Sequence, residues 1–160
     1  MAAASTVTVK LLNELARLPE RAYDSDAAFD LYSAEAATLA PQSRAVVGTG
    51  IAIGLPPGMA ALTLPRSGLA ARHGIALVNA PGLIDPGYRG EIKLILLNTD
   101  TRETFKVQIG DRIGQLLIVG LPDIVLRPVT ELEKTERGER GFGSSGGFGS
   151  TAQVNGREHA

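Results

Sequence analysis

Short runs of apolar residues recur along this chain, and few of them have the 3.6-residue spacing of a helix. Turn-forming residues separate the runs, as at Pro56-Pro57-Gly58 and Gly110-Asp111. Many short strands at roughly 8–12-residue spacing are typical of an all-β sandwich or barrel. The runs that predict strands are residues 7–11, 45–47, 51–53, 59–64, 75–78, 92–97, 105–109, 113–119 and 124–126. One short helix is predicted over residues 67–74, because Ser67 suits a helix start and Gly74 a helix end.

Residues 79–91 form the most distinctive stretch between two apolar runs. They contain two Pro-Gly pairs, so the backbone is expected to turn twice within a few residues. We predict a β-hairpin between the runs 75–78 and 92–97, with Asp85 and Tyr88 at its tip. When this segment is considered alone, an ordinary turn containing an Asp explains it equally well, since Asp is common in turns.

Composition restricts the classes of function. The chain has 160 residues, of which 44% are hydrophobic and only 4% aromatic, which fits one domain with a core of Val, Ile, Leu and Ala. It has no cysteine and two histidines, so disulfides, thiolate metal sites and His-rich metal sites are excluded. No apolar run approaches the ~20 residues of a membrane span, and residues 1–6 lack a secretory signal pattern. With a net charge of −1, we expect a cytoplasmic protein that binds no membrane and no nucleic acid.

The C-terminal residues differ in composition from the rest. Residues 131–140 are densely charged, and residues 141–150 are almost all Gly and Ser. We therefore divide the chain into a β-sandwich domain, residues 1–130, and a flexible arm, residues 131–160. Composition alone favours a disordered tail. The arm also carries Arg137, Phe142 and neighbouring serines, which are groups that bind phosphate and stack on a base.

Three further segments carry groups suited to binding an anion or a metal. Arg66, Ser67 and Gly68 combine a guanidinium, a hydroxyl and backbone N–H donors after a predicted strand, although Ser67 is equally well explained as a helix cap. The acidic segment 24–32 suits Mg²⁺ held largely through water beside a triphosphate, or else is a solvated turn. Arg112 and Gln115 follow a turn before a buried strand and either reach a site or only cap the sheet.

These segments occur in a specific order: acidic segment, Pro-Arg-Ser-Gly, Asn…Asp…Tyr hairpin, Gly-Asp-Arg-Ile-Gly-Gln-Leu, and a Gly-rich tail with Arg, Phe and Ser. In that order they closely resemble the five motifs of the trimeric dUTP pyrophosphatases (dUTPases), over residues 24–146. The resemblance implies a distorted jelly-roll or β-clip sandwich, and a homotrimer with shared active sites. It also implies Mg²⁺-assisted hydrolysis of dUTP to dUMP and diphosphate, which limits uracil incorporation into DNA and supplies dUMP for thymidylate synthesis.

The resemblance further implies a role for each matched residue. Asp85 is expected to orient or deprotonate the attacking water. Asp30 is expected to support Mg²⁺ through water, with the substrate phosphates as direct ligands. The residues expected to contact the nucleoside are Asn79, Leu83, Ile84, Asp85, Tyr88 and Lys93. Those expected to bind the phosphates or cover the uracil are Arg66, Ser67, Gly68, Gln115, Arg137, Phe142, Gly143, Ser144 and Ser145.

The chain departs from the family pattern at Ala28, Ala80, Gly114 and Arg140. Arg140 replaces a usual Gly, which adds a charge and removes a flexible point in the arm. Two other functions stay open at this level. A dCTP deaminase shares the fold but needs a carboxylate placed at the base. A non-catalytic nucleotide sensor or protein-binding β-trimer is expected to lack Asp85 or the arm.

Overall fold

The computed structural model describes residues 5–140 of the chain. Within this range strands form nearly all of the regular structure, together with one helix, α1 (Ser67–His73). The strands are β1 (Thr8–Leu11), β2 (Phe29–Tyr32), β3 (Ala37–Leu39), β4 (Arg44–Gly48), β5 (Ile51–Gly54), β6 (Met59–Leu64), β7 (Ile75–Leu77), β8 (Gly82–Ile84), β9 (Lys93–Asn98), β10 (Phe105–Val107) and β11 (Arg112–Gly120). The prediction of a mostly β protein with one short helix is confirmed.

The strands pair antiparallel throughout the described range. One sheet has the strand order β2-β11-β6-β8, and another has the order β4-β9-β7; β1 pairs with β5, and β3 with β10. The core is aliphatic, and its largest fully buried side chains include Leu31, Leu39, Ile75, Leu94 and Leu96. This confirms the expectation that Val, Ile, Leu and Ala fill the interior.

The helix has the predicted extent. Arg66 precedes it in an extended conformation (φ −93°, ψ 125°), and Gly74 ends it with φ 62°, in the left-handed region that glycine adopts readily. No side chain caps its N-terminus, so the Ser67 hydroxyl is not used as a cap. Within the described range no helix is long and apolar enough to cross a membrane.

The predicted hairpin around residues 79–91 has a more complex form. β7 and β9 pair antiparallel as predicted, with Ile75 opposite Asn98. The connection between them is not a simple tip, because β8 leaves this sheet and pairs with β6, placing Ile84 opposite Ala61. A three-residue strand that begins with Gly has too little periodicity to be detected in the sequence. The connection is therefore held in its middle as well as at its ends.

Other differences from the predicted strands lie at the edges of the pattern. The sequence did not predict β2 and β3, and residues 124–126 form no strand although they are apolar. Ile124, Val125 and Leu126 are 68–91% exposed, so no strand within their own unit covers them. The described residues up to Asp123 form one compact unit, and those from Ile124 onward belong to a second. The division at residues 130/131 between sandwich and arm stays a prediction.

Candidate active site

The connection between β7 and β9 lines a small polar cavity of about 170 Å³, called here the hairpin pocket. The pairing of β8 with β6 builds it, because Thr63 lies opposite Gly82 at its floor. A Cβ on Gly82 would overlap the Thr63 hydroxyl, so the strand approach requires glycine. The pocket is lined by Thr63, Asn79, Gly82, Leu83, Ile84, Asp85, Tyr88, Glu91, Ile92 and Lys93.

Tyr88 is held in one position at the edge of the hairpin pocket. Its backbone N–H donates to the Asp85 carbonyl (3.0 Å), and its hydroxyl donates to the Glu91 carbonyl (3.0 Å). The ring lies over Gly90, where a Cβ would overlap it. Half of the side chain stays exposed to the cavity and solvent, at 47%. The arrangement presents a rigid apolar surface beside the exposed carboxylate of Asp85.

Glu91 is a pocket residue that the sequence did not single out as functional. Its Oε1 accepts a hydrogen bond from the Gly50 backbone N–H (2.9 Å), and its Oε2 lies 3.2 Å from the Lys93 ammonium nitrogen. Glu91 thus connects the hairpin pocket to the turn between β4 and β5. The sequence did contain a signal for its role, because Glu91 stands two residues before Lys93. In an extended chain two such residues lie on the same face.

A second group, called here the arginine cluster, consists of Asp30, Arg66 and Arg112. Asp30 is only 4% exposed. Its Oδ1 lies 3.0 Å from Arg66 Nε and its Oδ2 lies 3.1 Å from Arg112 Nη1, while Arg66 also donates to the Arg112 carbonyl (3.4 Å). One carboxylate faces two guanidinium groups, so the cluster keeps a net positive charge suited to an anion.

Strand register also brings other residues that were predicted to bind the phosphates close to the arginine cluster. Gln115 lies opposite both Asp30 in β2 and Leu64 in β6. Arg66 follows two residues after Leu64 and directly precedes α1, which begins with Ser67 and Gly68. A cavity of about 350 Å³ adjoins the cluster, with Arg66, Lys106 and Arg112 among its lining residues.

The described residues do not fit a magnesium site held by the protein. Among residues 5–140 no three His, Cys, Asp or Glu side chains come together closely enough to hold a metal ion. Both oxygens of Asp30 already contact guanidinium groups, which leaves that carboxylate poorly suited to attract a cation. These contacts favour a role for Asp30 in positioning the two arginines, and the water-mediated role expected from the resemblance stays a prediction.

The hairpin pocket and the arginine cluster lie toward opposite ends of β6. Ile84 faces Ala61, so Asp85 is level with Ala60, whereas Arg66 lies beyond the other end of the strand. Arg66 lies six positions after Ala60, which corresponds to about 20 Å of extended chain. One chain thus has the predicted nucleoside residues and the predicted phosphate residues as two separate groups.

The predicted arm residues are only partly within the described range. Arg137 Nε donates to the Arg140 carbonyl (3.1 Å), and Arg140 Nε donates to the Arg137 carbonyl (3.0 Å), so both side chains fold around one turn. Phe142, Gly143, Ser144 and Ser145 lie outside the described residues.

Comparison with known proteins decides the family. A family model described as dUTPase matches residues 14–146, which include the hairpin pocket and the arginine cluster. The chain belongs to the dUTPase family. Among relatives, the deoxyuridine 5′-triphosphate nucleotidohydrolase of Streptomyces griseus is 49% identical over 152 residues, covering 95% of this chain and 85% of its own. The protein of the same name from Tropheryma whipplei strain Twist is 49% identical over 140 residues, covering 88% and 96%.

Solved dUTPase structures have a similar fold. The Staphylococcus bacteriophage 80alpha dUTPase, solved with dUPNHPP, matches with a TM-score of 0.82 and 34% identity, over 89% of this chain and 99% of that one. A mutant dUTPase from phage phi11 of S. aureus, described with a structural Mg(II) ion, matches with a TM-score of 0.75 and 30% identity, over 81% and 99%. The strands and the helix of this chain thus form a dUTPase fold.

Proposed function

We propose that this protein is a dUTP diphosphatase, which hydrolyses dUTP to dUMP and diphosphate. The observation that carries the proposal is the hairpin pocket, where the exposed carboxylate of Asp85 and the fixed ring of Tyr88 share one small polar cavity. The names of the relatives, deoxyuridine 5′-triphosphate nucleotidohydrolases, agree with this activity. A cytoplasmic location, expected from the sequence, suits an enzyme that acts on the free nucleotide.

We infer that the hairpin pocket selects base and sugar. Asn79 and the backbone of Leu83 and Ile84 would hydrogen-bond the uracil edge, and their position in the lining of the pocket supports this role. A pocket whose polar groups match uracil leaves them unpaired with cytosine, which disfavours the wrong base strongly. The ring of Tyr88 would pack under the sugar and leave no space for a 2′-hydroxyl.

In the proposed reaction, Asp85 takes the proton of a water whose oxygen attacks the α-phosphorus. A bond forms between that oxygen and phosphorus as the bond to the α,β-bridging oxygen breaks, so diphosphate leaves with the bonding electrons. Arg66, Gln115 and Arg137 would stabilise the charge that develops on the phosphates, with the hydroxyl of Ser67 and the backbone of Gly68. Phe142, Gly143, Ser144 and Ser145 would close over the nucleotide from the arm.

We propose that Mg²⁺ assists this reaction without a cluster of protein ligands, since residues 5–140 bring together no three His, Cys, Asp or Glu side chains that could hold it. We infer that the ion enters with the triphosphate, whose oxygens are the hard ligands that Mg²⁺ prefers.

We further propose a homotrimer of jelly-roll type whose active sites are shared between subunits. The separation along β6 supports this, because Asp85 and Arg66 of one chain lie about 20 Å apart. A single nucleotide that contacts both groups would have to contact two copies of the chain. Closed cyclic symmetry then gives as many complete sites as there are subunits.

A nucleotide panel tests the activity. The full chain is incubated with dUTP, UTP, dTTP or dCTP, with Mg²⁺ present, and diphosphate and ammonia are measured. We expect diphosphate from dUTP at a rate at least about 100-fold above that from the other three nucleotides, given selection by unpaired polar groups. Intact dUTP after prolonged incubation would reject the proposal, and ammonia from dCTP would support a deaminase instead.

A further inference from the structure

The turn between β4 and β5, called here the support turn, consists of Thr49 and Gly50 and contacts the end of the connection between β7 and β9. Its own position is fixed, because the Gly50 carbonyl accepts the Leu12 N–H (2.7 Å). A Cβ on Gly50 would lie 2.8 Å from Ala16 Cβ and 2.9 Å from Ala34 Cβ, so neighbouring side chains enclose the turn closely. The support turn is therefore a firm base for the groups that are bonded to it.

Glu91 and Ile92, at the end of the connection, are bonded to the support turn and to β5. The Gly50 N–H donates to Glu91 Oε1 (2.9 Å). The Ile92 carbonyl accepts the Thr49 N–H (3.2 Å) and the Thr49 hydroxyl (2.6 Å), and the Ile92 N–H donates to the Ile51 carbonyl (2.8 Å). Of these bonds, the one to Glu91 is made by a side chain of the connection, so a substitution can remove it without changing the backbone pairing.

Glu91 also carries this support to the Tyr88 ring. The Glu91 carbonyl accepts the Tyr88 hydroxyl (3.0 Å), so the position of the ring depends on the position of Glu91. Arg89 and Gly90 separate the two residues and are exposed, so they give the ring little support of their own. The bond from Gly50 to the carboxylate is charge-assisted, and the Glu91 side chain is only 24% exposed, which strengthens the bond relative to one between neutral groups.

We propose that Glu91 is a positioning residue for sugar selection, which couples the support turn to the Tyr88 ring. This inference rests on the proposed function, because it concerns how the enzyme distinguishes deoxyribose from ribose. The bond from Gly50 to Oε1 holds Glu91 in place, and the Glu91 carbonyl then holds the Tyr88 hydroxyl. A ring that is not held can tilt away from the sugar and admit a 2′-hydroxyl. This role requires an acceptor atom at the position of Oε1 and does not require its charge.

Substitutions of Glu91 test the role, with Glu35→Ala as the matched control. Glu35 accepts the Gly48 N–H, two residues before Gly50, but does not line the hairpin pocket. Glu91→Ala removes the acceptor, and we expect the ratio of kcat/KM for dUTP over UTP to fall at least about tenfold. Glu91→Gln keeps an acceptor oxygen at the same reach, so the ratio should stay within about threefold of wild type. Glu35→Ala should leave the ratio unchanged.

The melting temperature of each variant is measured beside the ratio, since a merely structural role would lower the melting temperature and leave the ratio unchanged. A wild-type ratio in Glu91→Ala overturns the proposal. So does an equal fall in Glu35→Ala, or a fall in Glu91→Gln as large as that in Glu91→Ala. If Glu91→Ala fails to fold, Glu91→Asp, which is one methylene shorter, replaces it, and an unchanged ratio again overturns the proposal.

A wild-type chain that leaves dUTP intact would reject the proposed function and not the role of Glu91. The same variants are then compared by equilibrium binding of dUMP and UMP. A preference for dUMP that is lost in Glu91→Ala and kept in Glu91→Gln supports the role. An equal preference in wild type and Glu91→Ala, or no preference in the wild type, overturns it.

Discussion

At the scale of single residues, Asp85 is the group on which the proposed chemistry depends most. It follows the buried Ile84 of β8, and its carbonyl accepts the Tyr88 N–H, so its backbone is fixed while its side chain is exposed. Asp85→Asn keeps the shape but cannot accept a proton. We expect kcat for dUTP to fall about 10²–10⁴-fold with KM changed little, measured by diphosphate release and by equilibrium binding of dUTP. A variant with near-normal kcat would remove Asp85 as the base.

Asp30 is the residue for which geometry and family resemblance differ most. Its two oxygens hold Arg66 and Arg112, whereas the resemblance assigns it to Mg²⁺. Asp30→Asn keeps one acceptor oxygen and removes the charge that both guanidinium groups face. We expect KM for dUTP to rise and the free energy of unfolding to fall by about 1–3 kcal/mol, with no change in the Mg²⁺ concentration that gives half-maximal rate.

The exposed acidic residue Asp24 provides the control for that experiment, because Asp24→Asn removes the same charge from the same segment. It should leave KM and thermal stability as in the wild type. If Asp30→Asn instead raises the Mg²⁺ requirement and leaves stability unaffected, the carboxylate serves the metal and not the arginines.

At the scale of elements, the connection between β7 and β9 is fixed by hydrogen bonds, and one of its glycines allows the Tyr88 ring to lie close to the backbone. A Cβ on Gly90 would overlap the Tyr88 ring, whereas a Cβ on Gly87 would meet nothing within 4 Å. Gly90→Ala should therefore displace the ring and weaken the exclusion of the 2′-hydroxyl, and Gly87→Ala should not. We expect the ratio of kcat/KM for dUTP over UTP to fall at least about tenfold in Gly90→Ala only. Equal ratios in the two variants would show that Tyr88 does not select the sugar.

The elements also show how far the sequence could be interpreted. The positions of Asp85 and Tyr88 in the connection and the limits of the helix were predictable. Turns, aromatic residues outside apolar runs and a terminal glycine are local signals. The arginine cluster was not, since Arg112 and Asp30 are 82 positions apart and meet only through the register of β2 and β11. A long-range contact of this kind depends on how strands pair, which no local pattern specifies.

Gly114, in the core, is a second position whose environment could not be predicted from the sequence. The family resemblance marks it as a departure from Ala without explaining it. In the structure, a Cβ at Gly114 would lie 2.5 Å from Leu94 Cδ1 and 3.3 Å from the Leu64 carbonyl oxygen. Leu94 occupies the space that an alanine methyl would need, and such complementarity between distant residues appears only when the packing is known.

At the scale of the whole molecule, the separation of the two groups along β6 decides how the sites are assembled. If each site takes its hairpin pocket from one subunit and its arginine cluster from another, two inactive variants can restore activity in a mixed assembly. Asp85→Asn damages only the first half of a site, and Arg66→Gln only the second, with glutamine still able to donate to Asp30. Mixed trimers would then contain sites in which both halves are wild type.

Co-expression of the two variants measures this restoration. With random assembly, half of the hairpin pockets and half of the arginine clusters are intact, so about a quarter of the sites should be complete and turnover should approach that fraction of wild type. A mixture of Asp85→Asn with Tyr88→Ala should recover nothing, because both changes fall in the same half. Activity no higher than the sum of the two parents would place the whole site within one chain, and the distance along β6 would then require the arm or another segment of that chain to bridge it.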